Sequence, residues 1–377
     1  MSVKRVLVLG GYGNFGKRIV ENLSHEKDII LLIAGRNEKK ANELITALKN
    51  KGLSAEFESI QLDINSPSLV EELRRLRPHI TIHTSGPFQG QDYKVPEACI
   101  AVGSHYIDLA DDRRFVCDIN KLNEKALSQD VLVVSGASSV PGLSSVVVDH
   151  FAGGFAFLNE IDIAIAPGNK AERGEATVRG ILSYTGHGFP VLEQGEWGEK
   201  FGWMSPRKLN FGNGIGKRWL ANVDVPDLEL LPQRYSGVQT VNFQAGLELP
   251  FLHFGMVFMA FLAKRKFVKD WSIFTPFIFK SSEIFKYFGT DTGAMQIRVS
   301  GLNQNGQTKT VKWTLHANNN IGPYIPTLSA IILAKKLLHE TALQRGAVPC
   351  LGLYELDEFD EESRLLGIHH ETEVLGG

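Results

Sequence analysis

The chain has 377 residues, with 40 Lys plus Arg against 42 Asp plus Glu and a formal net charge of −2. That balance excludes general nucleic-acid binding, which draws its affinity from a basic excess that displaces counterions. A hydrophobic content of 43% and a charged content of 22% exclude disorder.

At roughly 100–200 residues per domain the length allows two domains. Cys99, Cys117 and Cys350 are too few for a disulfide framework, so a reducing, cytoplasmic setting is expected. The apolar run before Gly10 is too short for a secretory signal core.

Residues 6–9 predict a short buried strand. A helix follows over 16–23, with Ile19, Val20 and Leu23 on one face. Residues 29–34 predict a second strand, 38–48 a helix with Ala41, Leu44, Ile45 and Leu48 in register, and 58–62 a third strand. Ser66 is expected to cap a helix that Pro67 opens and that runs to residue 76. Strands at 79–84, 106–109 and 131–135 complete the series. Strands separated by helical patterns of this length imply parallel βαβ units. The expected fold class is α/β, with a Rossmann-type doubly wound parallel sheet over 1–145.

After Pro141 the rhythm changes. Strand patterns at 160–166, 238–246, 295–301 and 309–317 alternate with helical stretches at 176–184 and around 251–266. Asn303-Gln304-Asn305-Gly306 is a hairpin signal between the last two strands. These patterns predict a mixed α+β substrate or interface domain over 146–324 with a largely antiparallel sheet. A helix at about 325–345 is expected to pack back on the first domain. Residues 346–377 read as a tail with a solvated acidic surface.

Gly10-Gly11-Tyr12-Gly13-Asn14-Phe15-Gly16 lies between the first strand and the first helix. Gly11, Gly13 and Gly16 satisfy G-x-G-x-x-G, and Gly10, Gly13 and Gly16 give G-x-x-G-x-x-G. Either register permits a tight turn, backbone approach to a pyrophosphate and close helix–strand packing. The phosphates then meet unpaired N–H groups at the positive end of the helix dipole. All seven residues are candidate cofactor ligands. A P-loop reading fails at Arg18, where a nucleoside triphosphatase needs Ser or Thr for magnesium.

NAD sites place an acid after the second strand, but Ala34-Gly35-Arg36-Asn37 carries none. Arg36 suits a ribose 2′-phosphate, so NADP is the expected cofactor. Asp63 has two readings, a ligand of the adenine edge or a cap of its own turn.

Ligands of open parallel sheets bind beyond the carboxyl ends of the strands. That rule selects Ser85-Gly86-Pro87-Phe88, Asp108-Leu109-Ala110-Asp111-Asp112-Arg113 and Ser135-Gly136-Ala137-Ser138-Ser139. Ser85, Gly86, Pro87 and Phe88 are candidates to orient the nicotinamide. Asp108 and Asp111 are the catalytic candidates, able to relay a proton or hold a cationic substrate nitrogen. The alternative for each is capping of local N–H groups.

Together with Ala98-Cys99, His105-Tyr106-Ile107-Asp108 and Arg173-Gly174-Glu175-Ala176-Thr177, these motifs resemble the saccharopine dehydrogenase-like NADP-binding family. The resemblance implies a Rossmann domain with an inserted α/β domain and an NADP-linked oxidoreductase. Hydride would pass between nicotinamide and a C=N or activated C=C bond of a small-molecule substrate. It also implies that Ser85, Gly86 and Asp108 lie against nicotinamide and substrate.

Arg173 is a candidate ligand for an anionic substrate group, or else a solvent-exposed arginine. Residues 211–218 imitate a phosphate loop without the preceding strand and read as a flexible loop. Aromatic residues concentrate in 249–288, followed closely within that stretch by Lys264-Arg265-Lys266. They suit a core, a homo-oligomer interface, a lipid-like pocket or a peripheral membrane contact. The run is too short for a spanning helix.

No G-x-S-x-G elbow, short-chain reductase Tyr-Lys pair or metal-ligand spacing is present, so no metal is expected. The competing function class is a nucleotide-bound scaffold or lipid-associated binding protein without turnover.

Overall fold

Strands that are apolar on both faces need cover on both, and short runs such as Val6-Leu7-Val8 meet that condition only inside a parallel sheet. The computed structural model describes residues 3–212, 214–340 and 343–376. They form two compact units, Met1–Leu143 with Tyr324–Tyr354, and Ser144–Pro323 with Glu355–Gly377.

The first unit begins with β1 (Lys4–Leu9), α1 (Gly16–Leu23), β2 (Ile29–Gly35), α2 (Glu38–Lys49) and β3 (Glu56–Gln61). It continues with α3 (Leu69–Leu76), β4 (Ile80–His83), α4 (Lys94–Ala101), β5 (His105–Asp108) and β6 (Leu132–Ser135). All these strands pair in parallel, in the order β6-β5-β4-β1-β2-β3. The order reverses between β1 and β4, which makes their carboxyl ends the switch point of a doubly wound α/β sheet. Leu7, Leu32, Leu73, Cys99, Tyr106 and Val133 belong to one buried cluster on this sheet.

Ser66 does not cap α3. Its hydroxyl accepts from Ser68 N at 3.2 Å and its N–H donates to the Asp63 carbonyl at 3.0 Å, so a turn precedes the helix. Such local side-chain bonds compete with helix initiation. The helix Ile325–Leu338 belongs to this unit and buries ten residues, as an apolar-all-round helix must.

The stretch 346–377, read from sequence as a tail, is structured. Gly346–Pro349 extends the first sheet by pairing in parallel with β6. Glu355 and Glu358 then form a capping box on the helix Leu356–Arg364, whose Phe359 is fully buried. The acidic run is therefore in part a helix start.

The second unit carries β7 (Phe157–Ala166), β8 (Gly188–Glu193), β9 (Glu196–Phe201), β10 (Arg207–Asn210) and β11 (Lys217–Asn222). β12 (Thr240–Ala245), β13 (Gly293–Leu302) and β14 (Thr308–Ala317) follow. Its main sheet runs β10-β11-β12-β7-β13-β14 and closes on the C-terminal strand His369–Leu375. Every pair is antiparallel except β12 with β7.

β8 to β11 have no counterpart in the sequence reading: β9 and β10 have no buried residue, Pro190 interrupts the apolar pattern of β8, and β11 is buried only over its last three residues. β9 is mostly exposed, and its hairpin to β8 turns on Gln194 and Gly195, both at positive φ. Residues 211–218 lie at a tight β10–β11 connection rather than in a loop alone, with Lys217 and Arg218 already in β11. Asn213 of that segment lies outside the described residues.

Candidate nucleotide-binding site

Gly10 leaves β1 at a φ of +76°, a conformation that glycine adopts without strain. Gly10 and Gly11 donate N–H bonds to the Ala34 carbonyl at 2.9 and 3.1 Å, and Gly13 N donates to Gly10 O at 2.8 Å. The chain then reverses into α1. A Cβ on Gly16 would sit 2.2 Å from Gly10 O and 2.7 Å from Gly11 Cα, so the helix starts in direct contact with the turn.

A Cβ on Gly10 would lie 2.8 Å from both Thr84 Oγ1 and Ser85 Oγ. The loops after β1 and β4 therefore meet at the switch point. Thr84 fixes that meeting by donating its hydroxyl to Leu9 O at 2.8 Å.

The start of α1 has no side-chain cap and no acidic residue in its first turn. Among the described residues, Phe15 and Gly16 N–H have no backbone acceptor. This is the open, positive helix end that an anion requires. Arg18 secures the turn from behind, with Nη1 on Asn14 Oδ1 at 2.6 Å and its guanidinium 5.0 Å from the Tyr324 ring centre.

Tyr12 packs against Gly35, where a Cβ would approach its ring to 2.5 Å. Its hydroxyl accepts from Asn37 N at 2.9 Å, while Asn37 Oδ1 accepts from Lys40 N at 3.2 Å and caps α2. The glycine turn thus grips the end of β2 through one tyrosine. Arg36 projects between these fixed points, exposed and without a partner among the described residues. Asp63 is exposed and accepts from Asn65 N at 3.0 Å within its own turn.

Ser85, Gly86, Pro87 and Phe88 form a held loop. Gln91 Nε2 donates to Ser85 O at 3.0 Å and to Pro87 O at 2.7 Å, and the Gly86–Pro87 bond is cis. Phe88 is buried against His83 and Phe115, with ring centres 5.0 and 5.3 Å apart.

His83 escaped the sequence reading, although it ends β4 and faces Asp108 in the β4–β5 register. The strand-end rule applied residue by residue would have found it. It bonds the Tyr106 hydroxyl through Nδ1 at 2.9 Å. Burial pushes its pKa down to about 3, so the ring is neutral.

Asp108 is fully buried. Its Oδ1 accepts from Gly136 N at 2.8 Å, Ala110 N at 2.9 Å and Ser135 Oγ at 3.0 Å, while Oδ2 has no partner. Burial raises its pKa to about 6, against the opposing pull of those donors. One oxygen therefore ties the ends of β5 and β6 together, and the other, without a geometric hydrogen bond of its own, lies in the neighbourhood of the Tyr106 hydroxyl, which also draws the pKa down. Asp111 is exposed and accepts from Gln89 at 3.0 Å. Asp112 caps the helix Arg113–Cys117 through Phe115 N.

Arg173 belongs to the second unit and is half-buried, not a solvent arginine. It donates to Asn169 O at 2.9 Å, and Asn169 Nδ2 donates to the Phe285 and Phe288 carbonyls at 2.7 and 2.9 Å. Burial lowers the Arg173 pKa, against the attraction of Glu283. Glu248 anchors the same loops, accepting from Asn169 N at 2.7 Å and Thr290 N at 2.8 Å and pairing with Arg218 at 3.0 Å.

Sequence reasoning also missed a buried polar row on one face of this sheet. Asp162 is 4% exposed, pairs with Arg207 at 2.6 Å and accepts from Asn242 at 2.7 Å, and Gln244 donates to Asn222 at 2.9 Å. The alternation of polar residues along β7 and β12 was the available signal.

The residues of the first unit fit a dinucleotide: a turn that Cβ atoms would fill, an uncapped helix start and an unpaired arginine at the end of β2. Comparison with known proteins agrees. Residues 6–134 match the family model described as "Saccharopine dehydrogenase NADP binding domain".

Among solved structures, an apo saccharopine dehydrogenase (L-Glu forming) from Saccharomyces cerevisiae matches at a TM-score of 0.69 and 13% identity. That match covers 99% of this chain and 100% of the yeast chain, and at such identity it is a likeness of fold. A short chain dehydrogenase from Mycobacterium smegmatis matches 36% of this chain and 74% of its own, at 14% identity and a TM-score of 0.30. No curated protein sequence matches the chain.

Proposed function

From a saccharopine dehydrogenase-type NADP binding domain at residues 6–134, we propose that the chain is an NADP(H)-dependent oxidoreductase acting on a small-molecule substrate. The observation that carries the reading is the uncapped start of α1 behind a glycine turn whose Gly10 meets the Thr84–Ser85 loop, with unpaired Arg36 at the neighbouring strand end.

Gly10 to Gly16 would hold the pyrophosphate, Arg36 the 2′-phosphate, and Ser85 to Phe88 the nicotinamide side. Once bound, the cofactor supplies or accepts the hydride, to or from a C=N or activated C=C bond. Asp108 Oδ2 is the unsatisfied acceptor closest in chemistry to a proton carrier or a ligand for a cationic nitrogen. Arg173, Asp63 and Asp111 have weaker support, since each is engaged in local bonds. The three buried free cysteines suit a cytoplasmic setting.

The test follows NADPH absorbance in the presence of amine plus 2-oxo acid pairs and of α,β-unsaturated carbonyl compounds. Consumption with one of these classes, and slower consumption in D108N, supports the proposal. Tight NADPH binding with no turnover on either class would favour the nucleotide-bound scaffold. One observation already leans that way: Asp108 Oδ1 is committed to three protein donors.

A further inference from the structure

Of the 19 large apolar side chains exposed among the described residues, 11 lie between positions 251 and 288. That is about a tenth of the chain, so the exposure is concentrated and calls for a cause.

The helix Pro250–Lys264 shows how it arises. His253, Met256, Ala260 and Ala263 face inward, while Phe251, Phe254, Phe258 and Phe261 form a stripe that is 40–61% exposed. Both rows follow the same 3-4-3 spacing, so the smaller residues are buried and the phenylalanines face outward. Water selects the opposite order. A second apolar element stands beside the first, for Trp271 donates to Met259 O at 2.9 Å and the Phe251 and Phe285 rings lie 5.1 Å apart. On it, Phe277, Ile284 and Tyr287 are 66–87% exposed.

Charge identifies the occupant. Residues 249–288 carry six basic and two acidic side chains, in a chain whose net charge is −2. Glu283 pairs with Lys286 at 2.5 Å. Lys264, Arg265 and Lys266 lie exposed at the end of the phenylalanine stripe. Their long stems let cationic heads reach phosphate groups while the rings enter the acyl boundary. A two-fold copy of this chain would set the same cations against each other, which disfavours self-association through this face. The helix has 15 residues, and no described helix is long and apolar enough to cross a membrane.

We infer that the 249–288 face docks in the plane of an anionic lipid bilayer surface. The phenylalanine stripe enters the interface and Lys264, Arg265 and Lys266 engage the headgroups.

Flotation of the full chain with phosphatidylcholine vesicles, with and without about one third phosphatidylglycerol, tests it. Binding is expected only with phosphatidylglycerol and is expected to weaken in high salt. K264Q/R265Q/K266Q should lower partitioning by roughly a hundredfold, about fivefold per charge. F254S/F258S should lower it by at least about tenfold. Phe254 meets the Trp219 ring at 5.1 Å and Lys264 lies 3.8 Å over the Phe201 ring, so F258S and R265Q/K266Q are measured beside these variants, with circular dichroism and the thermal midpoint expected unchanged and partitioning still reduced. Failure of the parent chain to float with anionic vesicles would overturn the inference. So would variants that float as the parent does, or variants that only dissociate a dimer.

Discussion

Arg36 offers the sharpest test of cofactor choice, because its removal costs the fold nothing. It is exposed and without a protein partner, while Tyr12 and the Asn37 cap hold the backbone on either side. A charge-assisted hydrogen bond contributes about 1.5–3 kcal/mol, and partial exposure favours the lower half of that range. R36A should therefore cost about 2 kcal/mol of NADPH affinity, roughly a 30-fold rise in Kd. NADH has no 2′-phosphate and should change by less than about twofold. R36D adds a like charge, about 1 kcal/mol at 4 Å in water, for about a further fivefold. The NADPH preference should also shrink as salt rises. Titration of each dinucleotide by nicotinamide fluorescence gives both constants. If R36A weakens both equally, or neither, Arg36 does not select the 2′-phosphate and the reasoning from its position is wrong.

Two further outcomes follow from distances and burial. G16A drives a Cβ into Gly10 O, so NADPH and NADH affinity should fall together by at least about tenfold, with about 1–3 kcal/mol of stability lost. A normal thermal midpoint with unchanged titrations would show that the turn relaxes freely. Asp108 ionises near pH 6 in the fold against a reference of 3.8. The folded state binds its proton more readily than the unfolded chain, so this contribution falls as pH rises from about 4 to about 6. Above that window the cost is fully present, at about 3 kcal/mol. D108N has no such ionisation, so parent stability should drop relative to D108N by about that amount across the window. Parallel denaturation profiles in urea would rule the effect out.

How much was legible depended on how local each feature was. β1, the glycine turn and α1 could be read because apolar run, glycine spacing and helix period lie within 20 consecutive residues. β2 with Arg36, and the β13–β14 hairpin at Asn303 to Gly306, were legible for the same reason. β9 was not, since most of its residues are exposed and its identity rests on pairing with β8. Gly346–Pro349 was not either, because a four-residue strand is stabilised by its neighbour β6 and not by its own pattern.

The sequence by itself determined the α/β class, the glycine turn between β1 and α1 and the place of Arg36 at the end of β2, since periodicity and backbone sterics act between near neighbours. Only the tertiary structure decided what the polar groups do. It gave Asp108 three donors from the end of β6, the residue after it and its own loop, set His83 in a dry site against Tyr106, and held Arg173 against Asn169 within its own loop. It also turned the phenylalanines of 251–261 outward. Burial and hydrogen-bond partners are properties of distant segments brought together, and a linear pattern holds no record of them.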